Sequence, residues 1–599
     1  MSENVSSIYQ DNLDKYKQQV HSLKRKLDLI AFTRLAVFII MLVVPFLFLQ
    51  KGMTITASLL FTIALLAFVY LLKKNQHLSN LHKYYEALVR INDNELQAIK
   101  GDLTPFDSGS RFISHEHDYT WDLDIFGSGS VFQMLNRTAL SGGAEKLADK
   151  LQSGVGGQQE IISYQSAVKD LSSRLHWRQS LMAEGIYLPA DKEDREKLIK
   201  WIAQPPKFIQ RKAYFYLLLT STLLTASSLF LYIFSLAEVG WLILALLTEL
   251  IIYSQPLKSI NKIHSEVSGI GASLGKYATS MRKIEEEDFK DPLLKNLATT
   301  LNIGNTRASS SIRSLRKTID GFDNRINMAA GIILNLFFMW DLRHVLKIEK
   351  WRLLHLDHIK KWFDTIYEVD ACCSLANFTF NNSGYAFPVP DEYGPVIAAE
   401  KTGHPLLSAE ERVCNDFSII KNGSFVIITG ANMAGKSTFL RTIGVNLVLA
   451  QCGAPVCASS FCFQPSALYT SMRTSDSIQK HESYFHAELK RIKKLMDKLE
   501  EGKKIFVILD EILKGTNTTD KQQGSRAVLK KLVHLNASGI IATHDLSLGE
   551  TEDEMPDKIS NQCFEIEIEG ENIRFDYKLY PGITKKMNAS LLLREMGLI

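Results

Sequence analysis

The chain has 599 residues, the length of about four domains of average size. Hydrophobic residues make up 46% of it and charged residues 22%, a composition that excludes disordered, collagen-like and small disulfide-scaffold proteins. The net charge is only +4, from 69 basic and 65 acidic residues, so the total charge neither predicts nor excludes a nucleic-acid partner.

Apolar residues are concentrated in four runs along the first half of the chain. These runs are Leu35–Leu49, Met53–Leu72, Ala213–Phe234 and Val239–Tyr253. A helix needs about 20 apolar residues to cross the core of a bilayer. The second and third runs reach that length, and the first reaches it with residues 31–34 included. The fourth is shorter and contains Glu249, so it is the weakest candidate.

The runs form two pairs, and a short break joins the members of each pair. This arrangement predicts about four transmembrane helices in two hairpins, with spans at about 31–50 and 53–72 and at about 213–234 and 239–253. Basic residues flank the outer ends of both hairpins, whereas the two turns contain a single lysine. The positive-inside tendency then predicts a multi-pass protein of the cell membrane, embedded in the lipid bilayer through four helices, with both termini in the cytoplasm. Buried core helices are the alternative.

The remaining sequence predicts three further parts. The polar residues on either side of the first hairpin have helical periodicity, so residues 1–100 form a stalk and hairpin. The start of a helical core occupies 101–205: residues 101–130 are irregular and rich in Gly, Ser and His, with no role that the sequence reveals, and a helical pattern begins at Val131. The second hairpin (206–258) interrupts this pattern, which resumes over 259–385. A turn-rich stretch at 381–394 precedes the last part, 386–599, in which β-rich and helical runs alternate as in an open α/β sheet.

A phosphate-binding loop follows the first strong strand of that last part. The strand Phe425–Thr429 leads into GxxxxGK[ST], and a helical segment follows. The glycines allow backbone N–H groups to face phosphates at a helix N-terminus. We therefore expect an ATP site, with Lys436 on the β- and γ-phosphates and Ser437 on Mg²⁺. The predicted nucleotide-binding residues are Gly430, Ala431, Asn432, Met433, Ala434, Gly435, Lys436, Ser437 and Thr438. A purely structural glycine turn is the alternative.

Two later strands end in residues suited to hydrolysis. The apolar run Ile505–Leu509 ends at Asp510, which can hold the Mg²⁺, and Glu511 is then placed to orient and deprotonate a water. A third strand, Gly539–Thr543, ends at His544, which could sense the γ-phosphate. A capping or core histidine is the alternative for His544.

At these motifs the sequence resembles the MutS family of ATPases. TGANMAGKST resembles the family's TGPNMAGKST, with Ala431 in place of proline. LDEILKGTNTTD resembles LDEIGRGTSTxDG, with Lys521 in place of the final glycine, and ATHD resembles ATHxxEL. GHPLL at Gly403–Leu407 resembles an element before the ATPase sheet, and Asp124–Leu151 resembles the start of the helical core. The resemblance extends from about residue 118 to the end, apart from the second hairpin.

The resemblance implies an α/β P-loop ATPase domain of the MutS/ABC type, joined to an all-α core and lever region. It also implies a homodimer with facing ATPase domains that clamps double-stranded DNA. The family's signature loop SGRSTFxxE contacts the partner's nucleotide, and here residues 480–488 keep Ser483, Phe485 and Glu488 but not the glycine and arginine. Ser483 is the residue implied to contact nucleotide across the dimer.

The favoured interpretation is a membrane-anchored MutS-family ATPase that switches a dimeric clamp on mismatched or branched duplex in a repair-related process. Five basic residues favour DNA, although solvation of helix surfaces explains them too: Arg307, Arg313, Arg316, Lys317 and Arg325. The family's mismatch-reading wedge has no counterpart, so a membrane-remodelling or signalling ATPase without DNA binding is the alternative. Leu140–Ala144 resembles the ABC transporter signature but lies far before the phosphate loop, which makes transport less favoured.

Overall fold

The computed structural model describes residues 2–187, 192–304, 306–473, 484–513, 517–569 and 572–584. Up to residue 381 these residues are almost entirely helical, and beyond it helices and strands alternate. The helices and strands of the first part are α1 (Ser2–Gln50), α2 (Thr54–Ile99), α3 (Val131–Leu135), α4 (Ser141–Ser153), α5 (Gln158–Ser172), α6 (Leu175–Tyr187), α7 (Lys192–Ile202), α8 (Lys212–Ile233), α9 (Val239–Ser254), α10 (Leu257–Val267), α11 (Gly271–Glu286), α12 (Pro292–Thr300), β1 (Asn302–Ile303), β2 (Thr306–Arg307), α13 (Ala308–Asp323), α14 (Met328–Phe338) and α15 (Trp340–Asn381).

Helices α1 and α2 form one long antiparallel hairpin. The chain reverses at Gly52, whose φ of 75° suits a residue without a Cβ. The apolar runs lie beside this turn with many exposed side chains, whereas the polar ends dock onto the helical core through buried Tyr9 and Ile91. The predicted stalks and spans are thus continuous helices rather than separate elements.

Three helices in the described part of the chain, α1, α2 and α8, are long and apolar enough to cross a membrane. The fourth run forms α9, which reaches this length only together with α10, and the two helices are bent by 63° at their junction. The number of candidate spans is therefore three or four, and the predicted second hairpin corresponds to α8 and α9.

Helix α14 is an apolar element that the hydropathy pattern did not single out. It packs against α8 and α9, while Ile332 and Ile333 keep about half of their surface exposed. Its 11 residues are too few for a membrane span, which is why a length criterion misses it. The apolar hairpin is thus extended by a third helix.

Helix α15 is the central support of the helical core. Over its 42 residues it contacts α4, α5 and α13, and most of its second half is buried. The LSGGA sequence begins α4 against this helix, where Gly142 and Gly143 lie too close to Tyr367 and Asp370 for any side chain. These glycines therefore serve helix packing.

The second part of the described chain contains two sheets. Its elements are β3 (Val389–Pro390), β4 (Ile397–Thr402), β5 (Asn415–Ile419), β6 (Phe425–Gly430), α16 (Lys436–Gln451), β7 (Ser460–Phe463), β8 (Ala467–Ser471), α17 (Tyr484–Glu500), β9 (Ile505–Asp510), α18 (Thr518–His534), β10 (Ser538–Thr543), α19 (Thr551–Glu554), β11 (Ile559–Phe564), β12 (Glu567–Glu569), β13 (Asn572–Arg574) and β14 (Leu579–Pro581).

The larger sheet has the strand order β14-β11-β6-β10-β9-β8, with only β14 antiparallel to its neighbour. Strands β6 and β10 are buried along their whole length, as expected for central strands covered on both faces. Because parallel strands end at the same edge, the residues that follow β6, β9 and β10 are brought together. The smaller sheet has the order β3-β7-β4-β5.

The segment before α3, whose role the sequence left open, binds to the α/β part. The buried Asp122 carboxylate accepts hydrogen bonds from Thr470 Oγ1 at 2.7 Å and Arg491 Nη2 at 2.9 Å. Asp124 forms a two-pronged ion pair with Arg473, at 2.6 and 2.7 Å. These contacts join the start of the helical core to the edge strand β8 and to α17.

Candidate active site

The GxxxxGK[ST] loop connects β6 to α16, and two of its positions require glycine. Gly430 has a φ of 154°, and a Cβ there would lie 2.9 Å from the Phe564 carbonyl oxygen. Gly435 has a φ of 103°, and its Cβ would lie 3.0 Å from the Tyr577 ring. The loop can therefore close tightly around the N-terminus of α16, where backbone N–H groups and the helix dipole favour an anion.

Lys436 lies across the mouth of this loop. Its ammonium group donates to the carbonyl oxygens of Gly430 at 2.8 Å and Ala431 at 2.7 Å. Burial lowers the pKa of Lys436 to about 8, against the opposing effect of Asp510 and Glu511. An incoming phosphate would provide the compensating anion that this buried cation lacks.

Ser437 and Asp510 form the candidate metal site. The Ser437 hydroxyl donates a 2.6 Å hydrogen bond to Asp510 Oδ2, at the end of β9. Among the described residues, no group of three or more His, Cys, Asp or Glu is suited to a metal ion. One carboxylate and one hydroxyl instead fit Mg²⁺, which takes few protein ligands and completes its shell with phosphate and water.

Glu511 is held beside this pair by an unusual backbone conformation. Its φ is 58°, and its N–H donates to the Ala542 carbonyl of β10 at 2.8 Å. Its carboxylate lies 3.3 Å from His544 Nε2 and 3.8 Å from Lys521 Nζ. Burial, and then Lys436, lower the pKa of His544, which favours the neutral imidazole near pH 7. Lys521, noted in the sequence only as a departure from the family motif, therefore belongs to the site.

Glu488 supports the segment that follows Glu511. It is buried on α17, and its Oε1 accepts a 2.6 Å hydrogen bond from the Leu513 backbone N–H. From the sequence, Glu488 was identified only as one of the residues that match the family's signature loop. Its neighbour in that motif, Ser483, lies outside the described residues.

A cavity of about 600 Å³ opens over these groups. Of the residues predicted from the sequence, its walls include Asn432, Met433, Gly435, Lys436, Ser437, Thr438, Asp510, Glu511 and His544. Gly430, Ala431 and Ala434 form the loop behind them without lining the cavity. The structure thus brings these sequence-predicted residues together from the ends of β6, β9 and β10, at one edge of the sheet.

The cavity also has aromatic walls, which the sequence patterns did not predict. Phe439, Phe564 and Tyr577 line it, together with His404 of the GHPLL element. Burial and the nearby Arg441 and Arg412 lower the pKa of His404 to about 4, so this ring is neutral at physiological pH. Flat neutral groups of this kind suit a planar base. The GHPLL motif could have pointed to His404, whereas the three aromatic residues belong to no sequence motif that would single them out.

Comparisons with known proteins agree with this arrangement. Residues 426–591 match the family model MutS domain V. The chain is 31% identical to human MutS protein homolog 4 over 253 residues, which are 41% of this chain and 26% of that protein. It is 30% identical over 235 residues to the DNA mismatch repair protein MutS of Thermotoga maritima (39% and 29%), and 30% identical over 240 residues to that of Persephonella marina (38% and 26%).

The chain covers less than a third of the length of each of these relatives. The family match spans the phosphate loop, the Asp510–Glu511 strand end and His544, which are the groups gathered around the cavity. Residues 426–591, which contain these groups, are therefore similar to domain V of MutS proteins.

Proposed function

We propose that the protein is a Mg²⁺-dependent ATP hydrolase that uses the candidate active site. The observation that carries this proposal is the meeting of Lys436, the Ser437–Asp510 pair and the Glu511–His544 pair around one cavity. Lys436 and the loop N–H groups bind the phosphates, and Ser437 and Asp510 hold Mg²⁺. The aromatic residues that line the cavity receive the adenine.

In the proposed reaction, Glu511 orients a water and takes its proton as the water oxygen attacks the γ-phosphorus. The bond from the γ-phosphorus to the bridging oxygen breaks, which gives ADP and phosphate. Bound Mg²⁺ would neutralise charge on the phosphate oxygens. His544 Nε2 is 3.3 Å from the Glu511 carboxylate, so a contact between His544 and the γ-phosphate can change the position of that carboxylate. Catalysis then depends on positioning and electrostatics.

Two substitutions test the enzyme assignment. Lys436→Ala removes the buried cation, and we expect ATP affinity to fall about 10- to 100-fold, the scale of one charged hydrogen bond. Glu511→Gln should bind ATP like the wild type but hydrolyse it very slowly. Lys421→Ala, an exposed lysine paired with Asp557, is the control and should change neither property. Wild-type turnover by Glu511→Gln would refute its role as the base.

The proposal includes anchoring in the cell membrane, with the ATPase domain and both termini in the cytoplasm. Its support is the exposed apolar surface of α1, α2, α8 and α9 and the basic residues that flank both hairpins. Resistance to carbonate extraction tests the anchoring. Labelling of single cysteines at Gln50 and Ala237 tests the topology, since both turns should be reached only from outside the cell.

We extend the proposal to a homodimer with facing ATPase domains that closes its helical levers on mismatched or branched double-stranded DNA. The names of two of the relatives refer to DNA mismatch repair, and α15 could serve as the lever. Binding through phosphate contacts predicts an affinity that falls steeply with salt. Absence of binding by the detergent-solubilised dimer at low salt would contradict this part.

A second candidate is a membrane-remodelling or signalling ATPase without DNA binding. Its support is that basic residues of the core form ion pairs within the protein. Arg307, Arg316 and Arg325 lie 3.9, 3.5 and 3.1 Å from Glu286, Asp320 and Asp341, so three of the five charges have acidic partners. Stimulation of the ATPase by duplex DNA supports the first candidate, and stimulation by lipid vesicles alone supports the second.

A further inference from the structure

A second cavity, which shares no lining residue with the candidate active site, lies where α9, α14 and the start of α15 meet. We call it the hairpin cavity; its volume is about 230 Å³. Its walls include Leu250 and Ile332, each with about half of its surface exposed. They also include Glu249, Arg325 and Asp341. The cavity therefore joins an apolar outer surface to a charged interior.

Asp341 is completely buried, and only one of its two carboxylate oxygens has a partner in the described structure. Its Oδ2 accepts a hydrogen bond from the Tyr253 hydroxyl at 2.7 Å and lies 3.1 Å from Arg325 Nε. Its backbone N–H donates to Asn335 Oδ1 at 3.0 Å. Its Oδ1 is buried and has no hydrogen-bond partner in the described structure. One carboxylate oxygen thus remains available to a donor.

Glu249 repeats this pattern from the opposite helix. It is only 1% exposed, and its Oε2 accepts a hydrogen bond from Thr225 of α8. Its Oε1 is buried and, within the described ranges, also has no partner. Leaving a buried carboxylate oxygen unpaired is costly, and most costly among apolar helices. Two such oxygens on one cavity indicate a ligand that donates hydrogen bonds.

The charges around the cavity indicate the sign of that ligand. In their carboxylate forms, Glu249 and Asp341 outnumber the single guanidinium group on the cavity, that of Arg325, by one. A cation would balance the remainder. A metal ion is disfavoured, because no cluster of three or more His, Cys, Asp or Glu suited to one occurs in the described parts of the chain. A primary ammonium group, with three N–H donors and a positive charge, matches the two free oxygens better.

Arg325 indicates that the ligand also carries a hydrogen-bond acceptor. Its Nε faces Asp341 and its Nη2 donates to Asn261 Oδ1 at 2.5 Å, but its buried Nη1 has no partner among the described residues. A free guanidinium N–H suits a phosphate oxygen. We propose that the hairpin cavity binds a phosphoethanolamine group, with its ammonium on Glu249 and Asp341 and its phosphate on Arg325.

The source of this group is an aminophospholipid. The exposed side chains of Leu250 and Ile332 would then contact its acyl chains, which rests on the proposed membrane anchoring. Free phosphoethanolamine carries the same chemistry from water, so the test includes both sources. Carbonate extraction checks the anchoring separately, so its failure can be told apart from an empty hairpin cavity.

The test uses the full-length protein in detergent with equal amounts of phosphatidylethanolamine and phosphatidylcholine. These lipids share the phosphate, but only the first has N–H donors. Native mass spectrometry should find one phosphatidylethanolamine per protomer, retained at least tenfold over phosphatidylcholine. Glu249→Gln should abolish this preference. Glu238→Gln, at an exposed glutamate in the α8–α9 turn, is the control and should keep it.

A second variant, Ile332→Trp, blocks the cavity from its apolar side and leaves the polar groups intact. It should lower the retention of phosphatidylethanolamine to that of phosphatidylcholine, while unchanged ATP binding shows that the protein is folded. Equal retention of the two lipids, or an unchanged preference in Glu249→Gln, overturns the proposal. If neither lipid is retained, a rise in melting temperature with free phosphoethanolamine that Glu249→Gln lacks supports the soluble source. Absence of both effects also overturns it.

Discussion

Ser437 and Asp510 are 73 residues apart in the chain, yet the Ser437 hydroxyl donates a 2.6 Å hydrogen bond to the Asp510 carboxylate. The contact exists because β6 and β9 lie on either side of β10 and end at the same edge of the sheet. A hydroxyl and a carboxylate at this distance can turn together toward one ion. The pair therefore links the phosphate loop to the end of β9, next to Glu511.

The first prediction concerns Asp510→Asn. The amide keeps the shape of the side chain but removes its charge, so we expect hydrolysis at saturating ATP to fall about 100-fold or more, the scale of losing one electrostatic group in an active site. A titration of Mg²⁺ against hydrolysis rate measures the effect. Asp557→Asn, at an exposed aspartate, should behave as the wild type. An unchanged Mg²⁺ requirement in Asp510→Asn would contradict the metal assignment.

The second prediction concerns the pH dependence of stability. Burial and the nearby arginines lower the pKa of His404 from 6.5 to about 4. Between these values the unfolded chain binds a proton that the folded protein does not, so the free energy of unfolding falls as the pH drops from 6.5 toward 4. At 1.36 kcal/mol per pH unit, the full loss is about 3 kcal/mol.

Melting temperatures at pH 5 and pH 7 measure this contribution. His404→Gln removes the titrating group, so its melting temperature should change less between the two pH values than that of the wild type. His534→Gln, at an exposed histidine on α18, should keep the wild-type difference. Equal differences in all three proteins would show that His404 is not responsible.

The third prediction assigns Glu488 a positioning role. Its hydrogen bond to the Leu513 N–H fixes the segment just after Glu511. Glu488→Ala should lower kcat about 10-fold or more, because misplaced catalytic groups are costly even when distant, while KM for ATP changes little. Glu488→Gln keeps an acceptor oxygen and should recover most of the rate.

Asp497→Ala, at an exposed position of the same helix α17, is the control and should leave kcat unchanged. A general loss of folding would lower the melting temperature and change KM as well as kcat. If Glu488→Gln is as slow as Glu488→Ala, the hydrogen bond to Leu513 is not the cause.

The sequence predicted the candidate active site better than its surroundings. A strand, a glycine loop and a helix are local features, so Gly430–Thr438 and Asp510–Glu511 could be located from their neighbours in the chain. Phe564 and Tyr577 reach the same cavity from β11 and from the connection before β14. Their position depends on strand order, which local patterns do not encode.

The apolar helices show the same limit. Hydropathy located α1, α2, α8 and α9 because apolar residues are concentrated in each of them, but the burial of Glu249 depends on its partners on other helices. Helix α14 is too short to stand out, although it completes the hairpin cavity. Length and composition find helices, whereas tertiary packing decides which polar groups meet.

The last prediction concerns the joint between the stalk and the core. Glu95 near the end of α2 is buried and accepts a 2.5 Å hydrogen bond from Arg137 Nε, and 3.0 Å bonds from the side-chain amides of Asn377 and Asn381 on α15. Nearby, the Tyr9 hydroxyl of α1 donates to Asn381 Oδ1 at 2.7 Å. Both stalk helices therefore meet the end of α15 through one polar network.

Glu95→Gln keeps the shape of the side chain but leaves Arg137 as an unpaired buried charge, which costs about 3–5 kcal/mol. We expect a clearly lower melting temperature and faster tryptic release of the stalk from the core. Asp93→Asn makes the same chemical change at an exposed position of α2 and should have neither effect. ATP binding should persist in Glu95→Gln, because the network lies outside the nucleotide cavity. If Glu95→Gln melts like the wild type, the network does not hold the stalk to the core.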